Sequence, residues 1–421
     1  MAQHFFIFLI LFCFFTKETF ANRTSLIPSS FSLNRSETMT AYPYKGSYFW
    51  YNPALFKYST LKINILGVDA ILDHNTQNKI DDRLNQKDID TLDELSNVLD
   101  MNESTISGGR LNILKIYFPY IGLTTFGQAL VSTTSVDNGK NLLASIRAGA
   151  VMGFALSFKG FSLGHSFYLL KQAQVESSPN SAQLATIKTH YNAGTLTPGN
   201  VNLDDYTNVY YGEALGHNVG LHYQFFEDNH SGIGVSVLNL GHTKFGEERS
   251  LIKGVVKDLD KKMEDEAAEI GVGLKTPSRL EQMINVGLHL ELGQKGDDIF
   301  NASLSMDYHD VEGKVITNKM SFAAEIGLHI PTDWAVHFSL PFYEKDNIFY
   351  HVGLLNFNLI GGHRVNESYS YGASLGTHWG VNRKLSLLRM DFQVSKTISL
   401  DELIVPSSWG YQTNLSFIFL F

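Results

Sequence analysis

Gly372-Ala373-Ser374-Leu375-Gly376 matches the GxSxG pattern with which hydrolases present a serine nucleophile. That chemistry needs the serine on a sharp turn between a strand and a helix. Here the pentapeptide sits inside the alternating run Tyr369, Tyr371, Ala373, Leu375, Thr377 with no helical pattern after it, so it reads as Gly-rich strand. The histidines offer more. His222, His289, His309, His329, His337, His351 and His378 fall on the polar faces of predicted strands, where Glu291 and Glu325 also lie. Imidazoles gathered there could hold a metal or gate with pH, because histidine titrates between about pH 5 and 8. They belong to different strands, and the competing reading is the ordinary polarity of an enclosed lumen. No Ser/His pair and no pair of acids has a supporting context, so the sequence assigns no catalytic residue, metal ligand or cofactor. Cys13, the single cysteine, lies in an N-terminal apolar block. Beyond that block, disulfides, CxxC redox chemistry and thiolate nucleophiles are excluded.

The elements that must position these residues are legible from the side-chain period. Ile284, Val286, Leu288, Leu290 and Leu292 alternate with Asn285, Gly287, His289 and Glu291. Segments 300–309, 320–330 and 334–342 repeat the pattern, each with one oily and one polar face, which specifies strands. Less regular candidates are 61–72, 116–134, 146–158, 161–174, 218–225, 233–245, 269–276, 350–359, 369–381 and 390–400, followed by a terminal strand. These fifteen segments are read as a barrel of about 14 strands, within a range of about 12 to 16, each near the ~9–11 residues that a tilted membrane strand requires. A soluble sandwich shares this alternation, but its wet face carries Lys and Glu in quantity. Here the polar face is Ser, Asn, Gly and His, which suits a polar lumen, and Trp334, Phe342, Tyr369 and Trp379 sit near strand ends, where interfacial girdles belong. The fold class expected is all-β: a transmembrane antiparallel β-barrel with an N-terminal pre-barrel segment, which the resemblance given below makes a hatch, and helical loop inserts.

Residues 1–21 read as a signal peptide. Met1 to His4 carry no acid, Phe5 to Phe15 are apolar, and Thr19-Phe20-Ala21 places small residues where a signal peptidase inspects them. The apolar block is too short for a membrane anchor, which needs about 20 residues. The layout that follows is a hatch or plug at 22–58 and a barrel at 59–421, with inserts at 73–110, 177–207 and 246–268. With 12% aromatics, 35 Gly and only 10 Pro, the chain is rich in strand formers, yet its mean hydropathy is -0.07. A membrane barrel has this signature because its two faces average out. The net charge of -9 comes with no basic stripe, which excludes nucleic acid as a partner. At the far end, Tyr411, Thr413, Leu415, Phe417, Phe419 and Phe421 share a face. An ending on Phe resembles the signal by which the bacterial barrel-assembly machinery recognises its clients.

Just before the first strand stands Trp50-Tyr51-Asn52-Pro53-Ala54-Leu55. Pro53 fixes its own φ and keeps Asn52 out of helical geometry, and the Asn side chain can bond nearby backbone, so the unit is a rigid turn. It is either part of a hatch or simply the turn that starts strand one. The hexapeptide resembles the aromatic-Asn-Pro-Ala motif of FadL-like outer-membrane proteins, which include long-chain fatty-acid channels and hydrocarbon transporters. Within that group it is similar to the conjugal-transfer TraF-like outer-membrane family, in which Asn-Pro-Ala-Leu precedes a strand and then an acid-rich helical insert like 80–100. The resemblance implies a barrel in the outer membrane of a Gram-negative bacterium, in contact with outer-membrane lipid. Asn52, Pro53, Ala54 and Leu55 would then belong to a hatch that gates a hydrophobic small-molecule ligand. The function expected is non-enzymatic passive transport of hydrophobic small molecules. The alternative is a non-enzymatic outer-membrane component of a conjugation or secretion assembly, with the 73–110 insert binding partners.

Overall fold

The computed structural model describes residues 39–43, 47–73, 105–136, 139–193, 200, 202–227, 229–245, 268, 272–277, 279–292, 300–311, 320–329, 336–338, 350–365, 367–382, 385–400 and 407–418. Strand β1 spans Lys62–Asp73. Two hairpins follow, β2 (Thr105–Phe118) with β3 (Ile121–Val136) and β4 (Gly139–Phe158) with β5 (Phe161–Ser177). Next come β6 (Thr207–Gln224), β7 (Gly232–Leu238), β8 (Leu274–Lys275), β9 (Met283–Leu292), β10 (Phe300–Val311) and β11 (Met320–His329). The chain finishes with β12 (Val336–Phe338), β13 (Tyr350–Arg364), β14 (Ser368–Asn382), β15 (Leu385–Ser399) and β16 (Ser408–Ile418).

Successive strands pair antiparallel, β11 pairs with β13, and β1 pairs with β16. The result is a closed antiparallel barrel of 14 strands, β1–β7, β9–β11 and β13–β16. Closure removes sheet edges, so every strand has a partner on both sides. β8 adds a short parallel pairing to β6, and β12 a short antiparallel one to β13. Burial alternates along each strand. On β5, Ser162, Ser166 and Tyr168 are buried inside while Phe161, Leu163 and Phe167 are exposed outside. The outer face is apolar well beyond what a water-soluble monomer shows: Leu156 is 68% exposed, Phe158 72% and Leu292 63%. Among the described residues no helix is long and apolar enough to cross a membrane; any crossing here is by strands.

The two rims differ. At one rim β2–β3 and β4–β5 turn over two residues each, at Pro119-Tyr120 and Lys159-Gly160. Lys159 and Gly160 both have positive φ (45° and 84°), as a hairpin turn whose twist matches its strands demands. Exposed aromatics gather at this rim: Phe118, Tyr120, Phe158, Phe161, Phe225 and Phe226. The opposite rim carries the β1–β2, β5–β6 and β7–β9 connections, the second of which holds helix α2 (Ser181–Asn192), while the β11–β13 connection with β12 lies at the first rim; α1, in the N-terminal segment, is described below.

Several expectations need correction. Segment 116–134 is two strands, because Pro119-Tyr120 turns the chain, and β2 begins at Thr105, inside the insert expected at 73–110. Segment 233–245 leaves the barrel at Leu238, where Asn239, Gly241 and His242 all take positive φ and redirect the chain. Of 269–276 only Leu274–Lys275 pairs, in parallel, so it is not a barrel strand. Strands are also longer than expected: β4 has 20 residues and β6 has 18, against the ~9–11 that hydrocarbon requires. Lys171 and Glu213, register partners on the outer side of β5 and β6, form an ion pair at 2.6 Å. A charged pair on that side belongs above the apolar belt. The signal peptide, Phe421, Trp334 and Phe342, and most of the 73–110 and 246–268 inserts, lie outside the described residues.

Ile326 is 52% exposed midway along β11. In lipid vesicles, Ile326→Arg is expected to cost about 2–4 kcal/mol of unfolding free energy, read by chemical unfolding. An unchanged midpoint would show that this side does not meet hydrocarbon.

Candidate functional site

Ahead of β1 the chain folds into the lumen. Met39 to Pro43 are buried, helix α1 (Ser47–Trp50) makes one turn, and a 3-10 helix follows over Pro53–Tyr58. Asn52 caps that helix. It is extended (φ -152°, ψ 106°), as a residue before proline must be, and its Oδ1 accepts from the Ala54 N–H at 3.0 Å. Pro53 occupies the first helical position, where its missing N–H costs nothing. The Asn52 amide does more than cap: Nδ2 donates to the Thr40 carbonyl at 2.9 Å and to the Leu221 carbonyl of the wall at 3.1 Å. Phe49, Leu55 and Phe56 are fully buried in one aromatic cluster with Tyr48, Tyr117, Phe126 and Tyr168. The Trp50 ring meets Phe126 edge-on at 4.9 Å and lies under Arg110, whose guanidinium holds Asp69 at 3.1 Å.

The wall beneath this segment lacks side chains at the points of contact. Gly122 faces Gly153 across β3 and β4, Gly164 faces Gly220 across β5 and β6, and Gly234 faces Gly287 across β7 and β9. A Cβ on Gly122 or Gly153 would land on the Phe56 ring, one on Gly164 on the Pro53–Ala54 backbone, and one on Gly220 on the Asn52 amide. Thr40 fills the corresponding space at Gly234 and Gly287. Six neighbouring strands thus form a bare floor on which the hatch lies backbone to wall.

Polar contacts fasten it at both ends. The Asp307 carboxylate on β10 accepts from the backbone N–H groups of Met39 and Thr40 at 2.8 and 2.7 Å, and Glu325 on β11 accepts from the Tyr42 hydroxyl at 2.7 Å. Toward the rim, Lys57 Nζ donates to the Gly160 carbonyl at 3.2 Å, and the Tyr58 hydroxyl to Gln224 at 3.1 Å. Burial holds the Tyr48 and Tyr58 phenols well above their usual range, so both remain neutral donors.

Asn52, Pro53, Ala54 and Leu55 are therefore all buried in this contact. His222, His289, His309 and Glu325 are buried on the inner side of the wall. They are engaged separately rather than as a ring. His289 bonds Ser305 at 2.9 Å and meets Tyr42 edge-on, His309 bonds Asn285 at 2.8 Å, and His222 packs edge-on against Tyr58. Glu291 accepts from the His230 backbone N–H at 2.8 Å and from its ring, tying the β6–β7 turn to β9. His329 lies in β11 and His337 in β12; their side chains are outside the described residues. Among the described residues, no group of three or more His, Cys, Asp or Glu could hold a metal ion. Ser374 of the GxSxG match lies within β14 and accepts from Asn358 Nδ2 at 3.2 Å, with strand on both sides and no elbow. Asp307 and the paired glycines had no local signal; inward glycines recurring on successive strands were the only sequence mark of the floor.

Among the described residues, the hatch leaves space against one side of the wall. Between Tyr48, Tyr58 and the wall of β1, β2, β15 and β16 lies a cavity of about 120 Å³ with Lys62, Lys115, Asn64, Gln393 and Asn414 in its lining.

No protein-family model matches the chain, and a search of curated proteins returns no match. The likeness of the Asn-Pro-Ala-Leu motif to TraF-like proteins therefore stands on its residues alone. Among solved structures, the CymD monoaromatic hydrocarbon channel is 11% identical, covering 95% of this chain and 98% of its own, with a TM-score of 0.43. A FadL homologue of Pseudomonas aeruginosa is 12% identical over 93% and 98%, TM-score 0.41. The Ralstonia pickettii toluene transporter TbuX is 10% identical over 94% and 99%, TM-score 0.39.

Gly164→Ala is expected to lift the hatch, because the new methyl meets hatch backbone; Gly127→Ala, with open space around it, should not. Hydrogen exchange over residues 47–58 reads the difference. Asp307→Ala leaves two buried N–H groups unpaired and should cost the 39–43 segment about 2–4 kcal/mol of protection; undiminished protection would remove Asp307 from the latch.

Proposed function

We propose that this chain is an outer-membrane β-barrel that passes small hydrophobic molecules down their gradient, with its N-terminal segment as the gate. The observation that carries the reading is the asymmetry of the lumen. The hatch lies over the glycine floor of β3–β7 and β9, touches β2 at Arg110 and Tyr117, and leaves a cavity against β1, β2, β15 and β16. Glycine lets a docked segment and its wall meet through backbone, and polar fastenings at Asp307, Glu325 and Asn52 can then be made and broken as discrete events. The Tyr48 and Tyr58 rings that the hatch turns to the cavity suit an apolar passenger. The apolar outer belt and the aromatic rim support placement in a bilayer, with the closed antiparallel sheet as the spanning unit. Hatch at 22–58 and barrel at 59–421 are the two working parts. This reading is non-enzymatic.

The alternative role in a conjugation or secretion assembly would need a docking surface on the β1–β2 connection, which lies outside the described residues; a stable complex co-purifying from membranes would favour it. Deletion of residues 22–58 is expected to raise single-channel conductance in planar bilayers and to speed entry of a monocyclic hydrocarbon into barrel-containing liposomes. If both stay at the wild-type level, the segment is no gate.

A further inference from the structure

The uncovered cavity carries a charge that the hatch does not use. Lys115 on β2 is nine-tenths buried, lines this cavity, and has no hydrogen-bonded or ion-paired partner among the described residues. Asp69 on the neighbouring strand is already held by Arg110. Lys62 and Asp391 also line the cavity, so two ammonium groups meet one carboxylate and one positive charge is left over. A buried charge without a counter-charge is costly, which favours an anion here. Asn64 Oδ1 and Gln393 Nε2 are buried with no partner among the described residues, one an acceptor and the other a donor. Tyr48 and Tyr117 meet edge to face at 6.1 Å, and the Tyr48 hydroxyl is spent on the Pro43 carbonyl, so Tyr48 offers the cavity its ring. The volume of about 120 Å³ is close to the ~150 Å³ that accommodates one benzene, and too small for a folded acyl chain.

We propose that this cavity binds a small monocarboxylate of about one ring's size. The carboxylate pairs with Lys115, the ring lies against Tyr48 and Tyr117, and a ring hydroxyl bonds Asn64 or Gln393. The proposal deepens the channel reading, resting on it for how the ligand arrives, while the site itself is tested without any passage.

Isothermal titration of the full chain in detergent uses 4-hydroxybenzoate and its neutral analogue 4-hydroxybenzyl alcohol as probes. The acid should bind about ten-fold tighter or more, as a charge-assisted hydrogen bond implies. Lys115→Gln should erase that preference while leaving affinity for the alcohol unchanged, Lys115→Arg should retain it, and palmitate should not displace the acid. Heat-modifiable migration checks that each variant is folded; should Lys115→Gln not fold, Lys62→Gln, which should weaken the acid alone, takes its place. Equal affinity for acid and alcohol, a preference unmoved by the folded Gln variant, or displacement by palmitate would each overturn the proposal. Lys115-dependent binding in a protein whose conductance ignores the 22–58 deletion would uphold the site and reject the gate; the reverse pattern would reject the site alone.

Discussion

The whole arrangement depends on how closely two backbones can approach. A strand interior normally gains nothing from glycine, which weakens it by roughly 0.5–1 kcal/mol relative to alanine. Here three cross-strand glycine pairs face the lumen at successive steps around the wall. The cost is offset by what the missing side chains admit: the Phe56 ring between Gly122 and Gly153, the Asn52–Ala54 turn over Gly164 and Gly220, and Thr40 over Gly234 and Gly287. Asn52 can reach a wall carbonyl only because nothing stands between them.

From that contact follows the division of the lumen. Where the floor is bare the hatch is seated, and the aromatic cluster closes around Phe49 and Phe56. Along β1, β2, β15 and β16 the wall keeps its side chains; the hatch meets β2 through Tyr117 and Arg110, and lysines, amides and a carboxylate line the space left beside it. One charged pair stands at the boundary: Asp69 and Arg110 are register partners on β1 and β2, and Trp50 lies against the guanidinium, so the hatch meets β2 on an ion pair.

Period-two alternation made the barrel legible, because a strand between hydrocarbon and a polar lumen has no other way to distribute its side chains. It failed where that contrast fades. Pro119-Tyr120 passes for strand because its flanks are as aromatic as the strands they join, and the upper part of β5 carries Lys171 where the pattern expects an oily residue. The Asn52-Pro53 turn was legible because its chemistry is local. Asp307 was not, since the N–H groups it holds are more than 250 residues away, with separations of 267 and 268. His222, His289 and His309 shared a face in sequence but take different partners, so an inward position did not amount to a cluster.

The fastenings also constrain how the hatch can move. Its deep end is held by carboxylates accepting from backbone and phenol, and its rim end by Lys57, Tyr58 and Ser59 on the turns at Gly160, Gln224 and Phe118. The rim end leads directly into β1 and is anchored by the chain itself, so the segment that can leave the wall is the part N-terminal to Tyr58. A ligand shifts such an equilibrium only through its differential affinity for the two states. The cavity is lined by Tyr48 and Tyr58 of the hatch as well as by the wall, so under the proposed gating a bound molecule would favour the seated hatch by whatever affinity those two rings supply.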